Sequence, residues 1–336
     1  MQKQTGWKEY RMGSIKGHIL INSFLKTEKF MEHYRYLENS AIKYGASLSI
    51  IENADILCSY GSSGEERISS MLDGSSFLLY WDKDIRLGRQ LEKICHKKGI
   101  IVSNPVDSIA ACDDKSLTYQ KLWEWNRTKP EELKIPLIPT ITAPMTYANI
   151  GYTNTNFLDK VIEELSLPLV VKECYGSFGM QVYLAKTREQ LVEIVLKLGG
   201  TPHIYQKFIK ESSGRDVRIE IAGGEVVAAM YRHSINGDFR ANITIGADME
   251  PYSPSEEECR IALCAAEALG LDFGGVDLLF TGNGGRAGVL CEVNSNAHFK
   301  NIYECTGINV ADKIISYILE AVDRHVPCFS QFMKKT

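Results

Sequence analysis

The chain has 336 residues, 44% of them hydrophobic and 24% charged, which is typical of a globular protein with two or three domains. Its formal net charge of -4 argues against nucleic-acid binding as the main activity. The nine cysteines form no CxxC pair and no apolar run reaches membrane-span length, so we expect a cytoplasmic protein without structural zinc and without a membrane partner.

Residues 1–16 have the composition of a loose tail, and residues 17–104 alternate between strand and helix patterns. The strand patterns cover 18–22, 47–51, 76–80 and 100–102. Apolar residues at helical spacing follow the first and third of them. This alternation predicts a small open α/β sheet.

The next part of the chain, residues 105–203, reads as a smaller α+β unit. Four prolines between positions 130 and 144 predict an extended linker. A strand ending at Lys172 leads into a glycine-bearing loop at 175–179, and a second strand returns at 181–184. Glycines in such a loop let backbone N–H groups approach an anion, although most loops of this kind are plain turns.

Residues 204–325 are predicted to form strands up to 231, a helix, the hairpin described below and a closing amphipathic helix, with a short tail at 326–336. Gly223-Gly224 is the expected turn between strands 217–222 and 225–231. The stretch Ser253 to Glu256 is interpreted as a capping box with proline at the first helical position, and its helix ends at Gly270.

A hairpin of two apolar strands, 276–280 and 289–294, carries three oxygen-bearing side chains. If Gly284-Gly285 forms a two-residue turn, counting back by equal steps pairs Asp277 with Glu292. Side chains alternate along a strand, so Asn294 lies on the same face as Glu292. These residues are either the outward polar side chains of an amphipathic hairpin or the ligands of a Mg²⁺ site, and the hairpin alone leaves both open.

Several cationic side chains occupy unusual positions. Lys172 ends an apolar strand, where an ammonium either has an anionic partner or snorkels from a sheet edge. Lys115 starts a helix, where the dipole does not favour it, and a surface role is the default interpretation. Arg218, Arg232 and Arg240 fall within 23 positions, a concentration suited to phosphate and carboxylate groups.

The motifs form an ordered set. In chain order they are Asp114-Lys115, Val171-Lys172, the loop 176–179, Gly214 to Arg218, Met230 to Arg232, Asp238 to Asn242, Asp277, and Glu292 to Asn294. This set resembles the ATP-grasp fold and, within it, the RimK-like carboxylate–amine ligases, in detail from about residue 104 to 324. The resemblance implies a multi-domain α/β and α+β protein. Residues 17–104 would be the pre-ATP-grasp domain, 105–203 the lid subdomain and 204–325 the catalytic subdomain.

The activity implied by the resemblance is ATP-dependent amide formation through an acyl phosphate. An amino acid such as glutamate would be added to a carboxylate acceptor, which is a peptide, a protein tail or a metabolite. Two alternatives stay open: a small-peptide or metabolite ligase of the glutathione or D-alanyl-D-alanine type, and a nucleotide-binding regulatory protein without catalysis. The oligomeric state is also left open.

The resemblance further implies roles for individual residues. Contacts to ATP are expected from Lys115, Lys172, Gly176, Ser177, Gly179, Gln206, Lys207, Phe208, Ile209 and Asp216. Two Mg²⁺ ions, for which Mn²⁺ can substitute, are expected at Asp277, Glu292 and Asn294. The γ-phosphate and the acceptor carboxylate are expected to contact Arg218, Arg232, Arg240 and Asn242.

Three departures from the family pattern stand out. Lys207 occupies a hinge position that is often acidic, and Gln181 replaces a glycine of the phosphate loop. The run from Ser295 to Lys300 replaces a common Ser-Pro-Gly continuation. Asn296, His298 and Lys300 are therefore the expected acceptor-site residues, with His298 and Lys300 either binding a carboxylate or serving as ordinary loop polar residues.

Overall fold

The computed structural model describes residues 15–57, 60, 64–176, 179–282 and 285–324. The chain forms two compact units, one comprising residues up to Val106 together with those from Ala311 onward, the other Asp107–Val310. Ser177, the predicted turn residue Gly284 and most of both predicted tails lie outside the described residues. The predicted division into subdomains at 104 and 203 stays a prediction.

The first unit contains a four-stranded parallel sheet in the order β2-β1-β3-β4. Its strands are Ile15–Ile21 (β1), Ala46–Glu52 (β2), Phe77–Tyr80 (β3) and Ile101–Ser103 (β4). Its connecting helices are Glu28–Lys43 (α1), Gly64–Met71 (α2) and Ile85–Lys98 (α3). Parallel strands require such crossover connections, so the predicted open α/β sheet is confirmed.

The second unit begins with helices and a four-stranded antiparallel sheet in the order β5-β8-β6-β7. Its helices are Val106–Asp113 (α4), Lys115–Thr128 (α5), Phe157–Leu165 (α6) and Arg188–Leu198 (α7). Its strands are Thr140–Thr142 (β5), Leu169–Glu173 (β6), Val182–Ala185 (β7) and His203–Lys207 (β8).

A larger antiparallel sheet follows in the same unit, with the order β11-β10-β9-β12-β13. Its strands are Arg215–Ala222 (β9), Glu225–Ser234 (β10), Ala247–Pro251 (β11), Phe273–Phe280 (β12) and Ala287–Asn294 (β13). The later helices are Glu256–Leu269 (α8), Lys300–Thr306 (α9) and Val310–Arg324 (α10). Helix α10 belongs almost wholly to the first unit, where Ser40 of α1 donates a hydrogen bond to Asp312 at 2.8 Å.

The two faces of the larger sheet differ in polarity because side chains alternate along β9. Val217, Ile219 and Ile221 share one face and belong to the apolar core that includes residues of α8. The other face of the same strand presents Asp216, Arg218 and Glu220. The core thus holds the sheet in place and leaves a polar surface opposite it.

Two local predictions need correction. The helix α8 starts two residues later than predicted, with Ser255 as its N-cap and Glu258 completing the capping box, so Pro254 is outside the helix. The predicted linker is not free, because Leu137 forms a bridge to Leu290 of β13 and Thr140 pairs with Gln206 of β8. This segment therefore connects the two sheets of the second unit.

Candidate functional site

In the hairpin β12–β13, Asp277 pairs with Glu292, as predicted. The residues between this pair and the turn do not pair in the equal steps on which the prediction was based. Phe280 pairs with Ala287, and two register shifts separate that pair from the pair at Asp277. The shift beside Asp277 leaves Cys291 as an extra residue on β13. Leu290 and Val293 both lie in the apolar core. Two consecutive residues, Cys291 and Glu292, therefore lie between the core residues Leu290 and Val293. Neither belongs to the apolar core, so both side chains can serve the polar face of the sheet.

Two almost fully buried lysines reach these two positions. Lys115 and Lys172 each retain 8% exposure. Lys115 Nζ lies 3.3 Å from Glu292 Oε1 and donates a hydrogen bond to the carbonyl of Gly176 at 3.2 Å. Lys172 Nζ lies 3.5 Å from Cys291 Sγ. A buried ammonium is costly without an anionic partner. Lys115 lies beside the Glu292 carboxylate, whereas Lys172 contacts a thiol, so Lys172 in particular indicates a site for an anionic ligand.

An ion-pair network covers the neighbouring strands. Arg232 binds Asp216 through two hydrogen bonds, at 2.7 and 2.8 Å. Arg218 binds Asp277 in the same bidentate manner, and Arg232 also lies 3.1 Å from Asp277. Burial opposes ionisation of Asp277, yet the two guanidinium groups hold its pKa below the ordinary value. Asp277 is thus kept as a carboxylate, and both arginines are held in fixed positions.

The glycine-bearing loop is fastened to the segment after β10. Arg240 Nη1 donates a hydrogen bond to the carbonyl of Gly179 at 2.6 Å, and its other nitrogens bind Asp238. Gly179 has φ +72°, and a Cβ on it would overlap the side chain of Asn242. Glycine is therefore required here for both its backbone conformation and its lack of a side chain.

The segment predicted to contact adenine starts inside the smaller sheet. Gln206 is buried and donates from Nε2 to Thr140 at 3.0 Å, whereas Lys207 is exposed. Phe208 makes an edge-on ring contact with Phe239 at 6.3 Å between centroids, and Ile209 is half-buried. Tyr119 of α5 donates to the carbonyl of Leu290 at 3.1 Å, which ties this end of the site to β13.

Beyond β13, the predicted acceptor segment supplies unpaired polar atoms. Within the described part of the chain, Asn294 Nδ2 and both amide atoms of Asn296 are buried and have no hydrogen-bond partner. His298 is half-buried, and Lys300 lies 3.7 Å from Glu304 on α9. The amide groups of Asn294 and Asn296 are therefore the ones in this segment that are available to a ligand.

Three residues at the site were not predicted. Cys291 and Tyr119 carry no sequence signal, because their positions depend on the bulge and on the packing of α5. Glu220 was predictable from the sequence, because it stands two residues after Arg218 and therefore lies on the same polar face of β9. Glu220 is 1% exposed and its Oε1 has no hydrogen-bond partner among the described residues. Burial raises the pKa of Glu220 to about 7.

The donor set suits a divalent cation bound together with phosphates. Carboxylates of Asp277 and Glu292 face each other across two strands, and Asn294 adds an amide. These are hard oxygen donors of the kind that Mg²⁺ prefers. Among the described residues no three side chains of the His, Cys, Asp or Glu type are grouped for a metal, so an ion here would need ligands from outside the chain. The metal and nucleotide roles of individual residues stay predictions.

The chain was compared with known proteins. Residues 127–318, more than half of the chain, match the family described as RimK-like ATP-grasp domain. Beta-citrylglutamate synthase B of Danio rerio is 31% identical over 239 residues, which are 71% of this chain and 54% of that protein. A probable alpha-L-glutamate ligase of Enterobacter sp. (strain 638) is 36% identical over 194 residues, 57% of this chain and 63% of that protein. The chain thus spans just over half to under two thirds of these relatives.

Solved structures with the same fold include the ATP-grasp ligase PsnB complexed with a phosphomimetic variant of its minimal precursor, Mg and ADP. The match to that structure has a TM-score of 0.63 and 13% sequence identity, and it covers 92% of this chain and 99% of the PsnB chain. At this identity the likeness shows the fold, and it confirms the predicted fold class. In the part of the chain that the structure describes, no helix combines the length and apolar character that crossing a bilayer requires.

Proposed function

Because the chain belongs to the RimK-like ATP-grasp family, as its ordered motifs predicted, we propose that it is an ATP-dependent carboxylate–amine ligase. The observation that carries this proposal is the convergence of Lys115 and Lys172 on Glu292 and Cys291 of β13. Asp277 stands opposite Glu292 with two guanidinium groups bound to it. This arrangement suits transfer of a phosphoryl group, in which the protein supplies positioning and compensation of charge.

The two lysines would bind ATP phosphates, since each is nearly buried and lies where an anion would relieve its cost of burial. Asp277, Glu292 and Asn294 would hold Mg²⁺, which supplies charge neutralisation for the phosphoryl group. We extend the proposal to two ions and to substitution by Mn²⁺. Gln206 to Ile209 would contact the adenine, and Asp216 would lie near the ribose.

The acceptor carboxylate would attack the γ-phosphorus and form an acyl phosphate, with ADP as leaving group. The amine nitrogen then forms a bond to the acyl carbon, while the bond from that carbon to the phosphate oxygen breaks. Starting from an ammonium, two protons leave the nitrogen, one going to the departing phosphate and the other to water. Arg218, Arg232, Arg240 and Asn242 would hold the phosphoryl and acceptor groups.

The glycine-bearing loop at 175–179 would limit access of water to the acyl phosphate. Its support is the hydrogen bond from Arg240 to Gly179, which fastens the loop to a segment that also carries Asn242. Exclusion of water matters because hydrolysis of the acyl phosphate would waste ATP. Because Arg240 would contact both the loop and the acceptor, it would couple closure of the loop to binding of the acceptor.

We propose glutamate as the first amine substrate to test, because the relatives compared above are named for glutamate ligation or a glutamate product. The experiment combines Mg-ATP with L-glutamate, other amino acids, citrate and short acidic peptides. ADP release is measured and product masses are read in parallel. A product heavier than a carboxylate by one amino-acid residue supports the ligase and identifies both substrates. Tight ATP binding with neither ADP nor product would instead favour a regulatory protein.

A further inference from the structure

The proposed mechanism gives no role to the buried carboxyl of Glu220, which lies beside the arginines of the site. Its side chain lies on the polar face of β9, two residues beyond Arg218. Arg218 Nη1 is 3.8 Å from Glu220 Oε1, too far for a hydrogen bond, while the same guanidinium is bidentate on Asp277. Arg218 therefore forms a long ion pair with Glu220 but leaves Oε1 without a hydrogen bond.

Glu220 stands in a row that crosses three strands. Gly275 of β12 pairs with Glu220 on one side and with Asn294 on the other. A Cβ on Gly275 would lie 3.0 Å from Glu220 Oε1 and 2.9 Å from the Cβ of Ala297. The carboxylate thus adjoins the segment that carries Asn294 and Asn296. In the described structure Asn294 Nδ2 and both amide atoms of Asn296 are also buried and have no hydrogen-bond partner.

The chemistry of these atoms selects the kind of ligand. An unpaired carboxylate oxygen needs a hydrogen-bond donor, and it repels the phosphates and the acceptor carboxylate that the rest of the site would bind. A metal ion is a poorer match, because the Nδ2 groups of Asn294 and Asn296, unpaired among the described residues, are hydrogen-bond donors and cannot ligate a metal. An organic ammonium supplies both the positive charge and the donors.

We propose that Glu220 binds the amino group of the amine substrate, with Asn294 and Asn296 beside it, and that this substrate is a primary ammonium compound that also carries a carboxylate. The proposal rests on the ligase function proposed above and assigns a positioning and specificity role to Glu220. Asparagine amide N–H groups would donate to the substrate carboxylate, while Oε1 accepts from the ammonium. Burial is the largest cause that raises the pKa of Glu220 to about 7, and a bound cation would favour the ionised carboxyl at neutral pH.

The test uses the isosteric variant Glu220→Gln in the full chain. Two nucleophiles are compared, L-glutamate and hydroxylamine, each with Mg-ATP and with citrate or the acceptor found in the substrate screen. Hydroxylamine is uncharged near neutral pH and traps an acyl phosphate as a hydroxamate, so it reports the first half of the reaction without needing an ammonium site. The matched control is Glu193→Gln on the exposed surface of α7.

For Glu220→Gln we expect the KM for L-glutamate to rise about 10- to 100-fold, the loss typical of a hydrogen bond to a charged group. Hydroxamate formation should stay within about threefold of wild type, and Glu193→Gln should change neither. An unchanged KM for L-glutamate overturns the inference, and so does an equal loss of hydroxamate, which would mean a general structural role. If the wild type makes neither amide nor hydroxamate, the ligase proposal itself fails together with the inference.

Discussion

Replacing Glu220 by glutamine should make the protein more stable at alkaline pH, although it removes a charged group from the site. The pKa of Glu220 is raised from 4.5 to about 7 by burial. A raised folded-state pKa means that the stabilising effect of the neutral carboxyl is fully present below pH 4.5 and is lost as pH rises to about 7. One unit of pKa corresponds to about 1.4 kcal/mol, so ionised Glu220 costs the folded state roughly 3 kcal/mol. Glutamine does not ionise and avoids that cost.

The assay is urea unfolding of wild type, Glu220→Gln and the surface control Glu193→Gln at about pH 5 and about pH 8, each in the same buffer mixture. The free energy of unfolding of Glu220→Gln relative to wild type should increase by roughly 2–3 kcal/mol between the two pH values. The control should show no such change, because Glu193 is exposed. A difference that stays constant with pH, or that falls, would refute the claim that burial of the Glu220 carboxyl raises its pKa. A gain in stability paired with a loss of amine binding is the trade-off expected at a functional site.

Three further substitutions test other parts of the site. Glu292→Ala should lower turnover at least about 100-fold, and it should also lower the melting temperature, because it removes the carboxylate beside the buried Lys115. Amide formation at nearly the wild-type rate would remove Glu292 from the metal site. Arg240→Gln loses the hydrogen bond to Gly179, so chymotrypsin should cut after the exposed Tyr175 about tenfold faster, whereas Arg286→Gln should leave the rate unchanged. Gly275→Ala places a methyl group 2.9 Å from the Cβ of Ala297, so it should lower the free energy of unfolding by about 1–3 kcal/mol. An unchanged free energy in urea unfolding would mean that Glu220 and Ala297 are not packed closely against Gly275.

In the hairpin β12–β13 the predicted pair of Asp277 with Glu292 is correct, although the equal-step pairing from which it was predicted is not. Equal steps from a two-residue turn pair Asp277 with Glu292, and that pair exists. The same steps pair Phe280 with Val289, whereas its partner is Ala287. Bulges arise where the core and the ligand face make competing demands on one strand, and the alternation of apolar residues does not reveal them. The consequence is local, because the bulge at Cys291 brings a thiol toward Lys172.

Neighbours along a strand were predictable, whereas neighbours across the fold were not. The alternation rule that places Asp216 and Arg218 on one face extends without change to Glu220. By contrast, Lys172 and Cys291 are 119 positions apart, and they lie on different sheets that the bridge between Leu137 and Leu290 helps to connect. The ordered set of motifs supplied this long-range information through the family resemblance, since spacing alone contains no distance between sheets.

The charges of the site explain why a divalent cation belongs to the proposed chemistry. Four cationic side chains stand beside four carboxyl groups: Lys115, Lys172, Arg218, Arg232, and Asp216, Glu220, Asp277, Glu292. Each guanidinium is already bound to a carboxylate, so the lysines supply most of the positive charge that an incoming nucleotide would meet. A nucleoside triphosphate carries about four negative charges, more than two ammonium groups offset. Mg²⁺ held by Asp277 and Glu292 would supply the remainder and would offset the repulsion between these two carboxylates and the phosphates.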